Sequence, residues 1–196
     1  MDHPIANSLL RAHLQTVKRI SGSTYLLLLQ RAGLERYVSQ LPPLDEAPAC
    51  SAEAYSRLPA AVLAMLGEPL TRRFLRNSGA TMVARAMQNP SVVALAAHLA
   101  GLPPETRLGG FVQQLARIVD HTWATTVTAE DATAYYLITY DCPTCRQLYD
   151  LSAPICATSS ASYSGLAAAL VGRPVRVVEV ECRATGGAVC RFAFYK

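Results

Sequence analysis

Five cysteines in the last third of the chain carry the strongest chemical signal in the sequence: Cys142, Cys145, Cys156, Cys182 and Cys190. Thiolates are preferred zinc ligands, and Cys142 and Cys145 have the two-residue spacing of a zinc knuckle. Cys156 lies at the start of a predicted helix, where the helix dipole favours a thiolate. The pattern favours a metal site over a set of small, buried apolar side chains. A tetrahedral site needs four ligands, so the spacing leaves open which of Cys142 and Cys145 takes part.

The last two predicted strands, 174–183 and 188–195, form a hairpin if residues 185–187 are its loop. In this register Cys182 faces Cys190, and Glu181 faces Arg191 in a cross-strand charge pair. The two thiols then lie roughly 5 Å apart at Cβ, which suits two ligands of one metal and is also near disulfide range. The same register buries two apolar pairs, Val178 with Phe194 and Val180 with Phe192.

The elements that position these cysteines change character near residue 118. Residues 1–117 have apolar residues at three- and four-residue spacing and are predicted to be mainly helical, with breaks near 21–23, 42–43, 67–69, 89–91 and 101–104. Residues 118–196 are rich in β-branched and aromatic residues. They predict strands at 122–128, 133–140, 174–183 and 188–195 and a helix at 153–171. We therefore predict a single domain over 1–196, whose strand-rich part holds the cysteine cluster.

Composition narrows the class of protein. The chain is 51% hydrophobic and 16% charged, which excludes a mostly disordered chain. No apolar run reaches the roughly 20 residues of a membrane helix, and the first residues lack the pattern of a secretory signal. Clustered thiols without such a signal predict a protein of the reducing cytoplasm. The net charge of +4 is too diffuse to indicate nucleic acid as a partner.

The segment Glu179–Phe192, with its two cysteines and the glycine pair before Cys190, resembles the closing signature of the 4-vinyl reductase domain. The resemblance extends upstream through Cys156 and Gly165. Domains of this family are similar in fold to small subunits of the transport-protein-particle vesicle-tethering complexes. They include a protein linked to bacteriochlorophyll synthesis and the sensor domains of phenol- and toluene-responsive activators. The resemblance implies an α+β fold in which helices flank an antiparallel sheet of about four strands, often in a homodimer.

The resemblance also implies a zinc site beside a ligand pocket. In the aromatic sensors three cysteines and a glutamate hold the ion, and the cysteines match Cys156, Cys182 and Cys190. The sensors' glutamate has no clean match in this chain: its place falls near Thr133, with Glu130 and Asp131 close by in the sequence. The sensors lack the turn that carries Cys142 and Cys145, so we expect one of these two thiols to take the place of the glutamate. Four protein ligands would make the zinc structural, and an iron–sulfur cluster is the alternative cofactor.

A group of aromatic residues predicts the wall of a ligand pocket between the helices and the sheet. His121 and Trp123 are two residues apart on a predicted strand and would share a face. Phe111, Tyr135 and Tyr136 lie nearby in the sequence. The alternative is that each of these residues only packs in the core.

The sequence contains no GxSxG, HExxH, P-loop or GxGxxG motif, which favours a protein without catalytic activity. We predict a domain that binds or senses a small hydrophobic or aromatic molecule. One alternative is an accessory protein or enzyme of bacteriochlorophyll metabolism, in tetrapyrrole vinyl reduction. Another is a protein-interaction scaffold like the vesicle-tethering subunits.

Four arginines on one predicted helix could bind a tetrapyrrole propionate, although such a run is more typical of a solvated face: Arg72, Arg73, Arg76 and Arg85.

Overall fold

The structure, a computed structural model, describes residues 4–196. Over these residues a helical N-terminal half precedes a four-stranded antiparallel sheet, so the predicted α+β fold is confirmed. The helices are α1 (Asn7–Ser21), α2 (Tyr25–Ala32), α3 (Ala52–Ala86), α4 (Pro90–Ala100), α5 (Pro104–Thr122) and α6 (Ala157–Val171). The strands are β1 (Pro4–Ala6), β2 (Pro48–Ser51), β3 (Thr126–Glu130), β4 (Ala134–Thr139), β5 (Val177–Glu181) and β6 (Cys190–Tyr195).

The N-terminal helices follow the predicted apolar periodicity with two differences. α2 ends at Ala32, because Gly33 adopts a φ of 67° and ends the helix in the left-handed conformation. β1 and β2 pair in a small antiparallel sheet that the sequence did not predict. Ser51 caps α3, since its hydroxyl accepts a hydrogen bond from the Ala54 N–H at 3.1 Å. None of the helices in the described part of the chain is both long and apolar enough to span a membrane.

The second half of α3 fixes the position of α6, the helix that begins directly after Cys156. α3 breaks at Gly67, where φ is 78°, as the sequence predicted for 67–69. Beyond the break, a Cβ atom at Gly79 would lie 2.4 Å from the carbonyl oxygen of Thr158, so only glycine permits this approach. The hydroxyl of Thr158 also donates a hydrogen bond to the Leu75 carbonyl at 2.9 Å. The helical half therefore holds the start of α6 firmly.

The large sheet has the strand order β3-β4-β6-β5, and every neighbouring pair is antiparallel. Its inner face packs on α5 and α6. The Tyr163 ring of α6 lies 5.2 Å from the Phe192 ring, and the Phe111 ring of α5 lies 6.2 Å from the Phe194 ring. The helices and the sheet share one buried hydrophobic cluster.

The predicted strand at 122–128 is wrong at its start, because α5 continues to Thr122 and β3 begins only at Thr126. His121 therefore belongs to a helix, where it is exposed. Trp123 follows the helix and is buried. The two residues do not share a strand face.

The predicted hairpin register is correct near the turn and wrong beyond it. Glu181 pairs with Arg191 as expected, but a bulge at Val180 shifts the rest of β5 by one residue. Glu179 therefore faces Phe192 and is only 9% exposed, whereas Val180 is 46% exposed. A one-residue bulge exchanges the side chains that face the core. Here it brings a carboxylate inside.

A buried histidine in the helical half makes the stability of the protein depend on pH. His13 is fully buried, and its ring contacts the Tyr55 hydroxyl at 2.9 Å. Burial lowers the pKa of His13 to about 3, whereas the unfolded chain binds this proton near pH 6.5. The unfolded state then holds more protons between these values, so stability falls as the pH falls. We expect the free energy of unfolding to drop by about 2 kcal/mol from this group between pH 6.5 and pH 5.

Denaturant unfolding at several pH values measures this dependence. His13→Gln should flatten the curve between pH 6.5 and pH 5, while His121→Gln, an exposed site on α5, should leave it as in the wild type. Equal pH dependence in the two variants would contradict the assignment to His13.

Candidate metal centre

Separate segments of the fold bring the five predicted thiols together. Cys142 and Cys145 lie in the loop after β4, Cys156 precedes α6, Cys182 follows β5, and Cys190 begins β6. Each is at most 2% exposed. The helix start, the hairpin and the loop converge at this point, as the sequence analysis expected.

The sulfur atoms have the spacing of ligands around a shared ion. The Sγ of Cys156 lies 3.5 Å from that of Cys142, 3.8 Å from that of Cys190 and 4.0 Å from that of Cys182. The Sγ atoms of Cys145 and Cys190 are 3.3 Å apart. A tetrahedral zinc ion with Zn–S bonds of ~2.3 Å holds its sulfur atoms ~3.8 Å apart. The cysteines are free thiols, and the cluster is already close to this geometry.

The bulge in β5 adds the carboxylate of Glu179 to the cluster. Its Oε2 accepts a hydrogen bond from the backbone N–H of Cys156 at 2.8 Å. Its Oε1 is buried and has no hydrogen-bond partner among the described residues. An unpaired buried carboxylate oxygen costs free energy unless a cation or a proton satisfies it. This oxygen is therefore available as a ligand.

Within residues 4–196, two groups of four residues bring their ligand atoms within 4.8 Å of one another. The thiol set is Cys142, Cys145, Cys156 and Cys190; the carboxylate set is Cys156, Glu179, Cys182 and Cys190. Thiolates with or without one carboxylate suit zinc, and four thiolates also suit an iron–sulfur cluster. The residues present therefore fit a metal ion.

Neither of the acidic residues close to Thr133 lies at the cluster, where Cys142 or Cys145 was expected in place of the sensors' glutamate. Glu130 forms an ion pair with Lys196 at 2.8 Å, and Asp131 accepts a hydrogen bond from the Tyr136 hydroxyl at 2.6 Å. Glu179 is the carboxylate that reaches the thiols. Regular strand alternation places Glu179 on the outer face, and no residue in β5 signals the bulge in advance.

Burial and mutual contacts change the acidity of the cluster. Burial raises the pKa of Glu179 to about 9. Hydrogen bonds from Cys145 lower the pKa of Cys142 and of Cys182. Hydrogen bonds with Cys142 raise the pKa of Cys145, Cys156 and Cys190. The metal-free cluster therefore retains several protons that a divalent cation would displace.

Surface ion pairs brace the loops that carry the thiols. The Asp141 carboxylate, at the start of the Cys142 loop, contacts Arg183 at 3.0 Å and Arg146 at 3.2 Å. Arg183 lies in the turn after Cys182, so the pair ties the loop to the hairpin. The Thr185 hydroxyl donates a hydrogen bond to the Cys182 carbonyl at 2.9 Å. These contacts hold the ligand-bearing segments in place.

An open groove of about 430 Å³ lies next to the carboxylate set, bordered by α3, the start of α6 and β5. Its lining is mainly apolar: Pro154, Ala157, Ala161, Val177 and Val178. Arg76, Ser160 and Glu179 add polar groups. Glu179 thus belongs to the groove and to the carboxylate set at once. Of the four arginines noted in the sequence, Arg76 reaches this groove, while Arg72 donates hydrogen bonds to carbonyls at 153–154.

The structure does not gather the predicted pocket residues around this groove. Phe111 and Trp123 are buried, His121 is exposed, and the Tyr136 hydroxyl is bound to Asp131. Tyr135 packs against Gly109 of α5: its ring lies about 3.0 Å from the point where any side chain at this position would place its Cβ atom. The role of these five residues in ligand binding remains a prediction.

Comparison with known families identifies the strand-rich end of the chain. Residues 136–196 match the family model of the 4-vinyl reductase domain. The matched segment includes all five clustered cysteines and Glu179. The resemblance found in the sequence is therefore confirmed for this segment. No curated protein sequence matches the chain significantly.

Solved structures share the fold over most of the chain. One is the phenol-responsive sensory domain of the transcription activator PoxR with phenol, at 16% identity and a TM-score of 0.54, covering 89% of this chain and 90% of that one. Another is a mutant Fe(II) unliganded H-NOX protein from K. algicida, at 11% identity and a TM-score of 0.56, covering 98% and 97%. At these identities the likeness establishes the fold alone.

Proposed function

We propose that this chain is a sensory domain that binds a small hydrophobic or aromatic molecule beside a structural zinc centre. The observation that carries the proposal is the position of Glu179, which borders the groove and lies among the thiols. A molecule in the groove would contact a side chain that also reaches the metal. Ligand binding would then alter the hairpin and the start of α6 together.

The lining of the groove supports a particular chemical class of ligand. Its apolar side chains suit a small ring, and Arg76 and Ser160 can pair with a hydroxyl or carboxylate on that ring. The shared fold with a phenol-responsive sensory domain makes phenol the natural first probe.

Zinc in this proposal links parts of the chain that are distant in sequence. The ligands come from the clustered cysteines and Glu179, and the bound ion would neutralise thiolates that are otherwise costly to bury. Four protein ligands leave no open position, so the zinc stabilises and does not react. Iron and inorganic sulfide in the purified protein would instead support the iron–sulfur alternative.

Calorimetric titration of the metal-loaded full chain with phenol tests the ligand proposal. Ser160→Phe should fill the groove and weaken phenol binding by at least about tenfold. Ala169→Phe places the same side chain on an exposed part of α6 and should leave the affinity unchanged. Equal affinity in the two variants, or no binding of phenol, catechol and toluene by the wild type, would overturn the proposal.

The proposal includes a cytoplasmic homodimer, as the resemblance implies. The exposed side chains of Leu26 and Leu27 on α2 are apolar surface that a second copy could cover. Sedimentation of the wild type and of a Leu26→Glu/Leu27→Glu variant tests this part.

A tetrapyrrole-related role and a scaffold role remain alternatives, and a pigment that co-purifies with the protein would favour the first.

A further inference from the structure

The number of donors in the cluster exceeds what one ion can use. The thiol set and the carboxylate set have Cys156 and Cys190 in common, and together they contain six ligand residues. Two tetrahedral ions that share two ligands need six donors. The two sets therefore divide into two shared thiols and two separate pairs.

We propose that the cluster binds two divalent thiophilic ions, such as zinc, bridged by the thiolates of Cys156 and Cys190. Cys142 and Cys145 complete the first ion, and Glu179 and Cys182 complete the second. The proposal builds on the proposed zinc centre, which requires only one ion. It assigns a role to both Cys142 and Cys145.

The sulfur positions agree with this division. The bridging pair is 3.8 Å apart, close to the edge of a tetrahedral thiolate site. In the first set, Cys142 lies 3.5 Å from Cys156, and Cys145 lies 3.3 Å from Cys190. In the second, Cys182 lies 4.0 Å from Cys156. In the first set, each bridging sulfur atom therefore has one close non-bridging sulfur atom: Cys142 for Cys156, and Cys145 for Cys190. In the second set, the sulfur atom of Cys182 is close to that of Cys156.

The unpartnered Oε1 of Glu179 favours an ion in the carboxylate set. It is a buried oxygen, and none of the described residues satisfies it. An ion held by four thiols of the thiol set would leave this oxygen without a partner. An ion in the carboxylate set satisfies it but leaves Cys142 and Cys145 unused.

The entry of a second ion balances without a redox step. The second dication forms two metal–sulfur bonds, to Cys142 and Cys145, and any proton on these sulfur atoms leaves to solvent. No electron is transferred.

Metal content under anaerobic loading tests the proposal. The full chain is loaded with excess Zn²⁺, freed of unbound ion, and measured by elemental analysis and native mass spectrometry. We expect two zinc ions per chain in the wild type and in Cys50→Ser, a cysteine outside both sets. The Cys142→Ser/Cys145→Ser double variant should retain one, because it leaves the carboxylate set intact.

Cobalt provides a measurement that needs no variant. When Co²⁺ replaces zinc, thiolate bridges couple two neighbouring ions antiferromagnetically. The magnetic moment per cobalt should therefore fall as the second equivalent is added to the wild type. Two unbridged ions would keep the same moment throughout the titration.

Several outcomes would overturn the two-ion proposal. They are one zinc per chain in the wild type, two in the double variant, no zinc in a folded double variant, or an unchanged moment per cobalt. Phenol binding separates this failure from that of the proposed function. A one-zinc protein that binds phenol in the groove would keep the sensory proposal and reject the bridged pair.

Discussion

Replacement of Cys156 by serine is expected to remove the bound metal and most of the stability it provides. Cys156 belongs to both ligand sets, and its backbone N–H holds the Glu179 carboxylate. It also directly precedes α6, which closes the core against the sheet. Because metal binding and folding are linked, we expect the free energy of unfolding to fall by more than about 4 kcal/mol.

Denaturant unfolding and zinc content, measured on the same preparations, test this expectation. Cys50→Ser is the matched control, since Cys50 lies in β2 outside both sets, and it should retain full zinc. A strong chelator should lower the stability of the wild type and of this control but have no effect on Cys156→Ser. A Cys156→Ser protein with full zinc and wild-type stability would rule out the centre as described.

The sequence was sufficient for the parts of the site that depend on local patterns. The thiol spacing, a helix near Cys156 and the hairpin that carries Cys182 and Cys190 are local features, and the structure has each of them. The helix begins at Ala157 and not at Ala153 as predicted, so Cys156 directly precedes it. Glu181 also pairs with Arg191 as predicted, although residues 182–189, and not only 185–187, connect the two strands. These features were enough to predict that the five thiols would converge.

The features that were not predicted depend on tertiary packing. A bulge at Val180 turns Glu179 inward, and strand alternation gives no sign of it. α5 continues to Thr122 through residues with high β propensity, because its apolar face is buried against the sheet. Because the bulge was not predicted, Glu179 was absent from the expected ligand set, which had Cys142 or Cys145 in the place of a carboxylate. Because the end of α5 was not predicted, His121 and Trp123 were expected on a common strand face.

Replacement of Glu179 by glutamine is expected to weaken one of two zinc-binding steps and leave the other unchanged. The amide has the size of the carboxyl group and can still accept the hydrogen bond from the Cys156 N–H, so the bulge and the start of α6 should persist. It cannot supply an anionic ligand. Since changes around metal ligands typically cost 10–100-fold in affinity, we expect a loss of at least about tenfold in the affected step.

Competition with a chromophoric chelator resolves the two binding steps. Glu181→Gln is the matched control: Glu181 lies on the same strand, pairs with Arg191 at 3.5 Å on the surface and belongs to neither ligand set. It should bind zinc as the wild type does, because the amide oxygen can still accept the hydrogen bonds from the Ala188 and Val189 N–H groups, and Glu181 supplies no ligand atom. If both steps in Glu179→Gln match those of this control, the carboxylate is not a ligand, and the metal lies in the thiol set alone. If the affected step is lost and the other persists, an ion in the carboxylate set is bound through the side chain that also borders the groove.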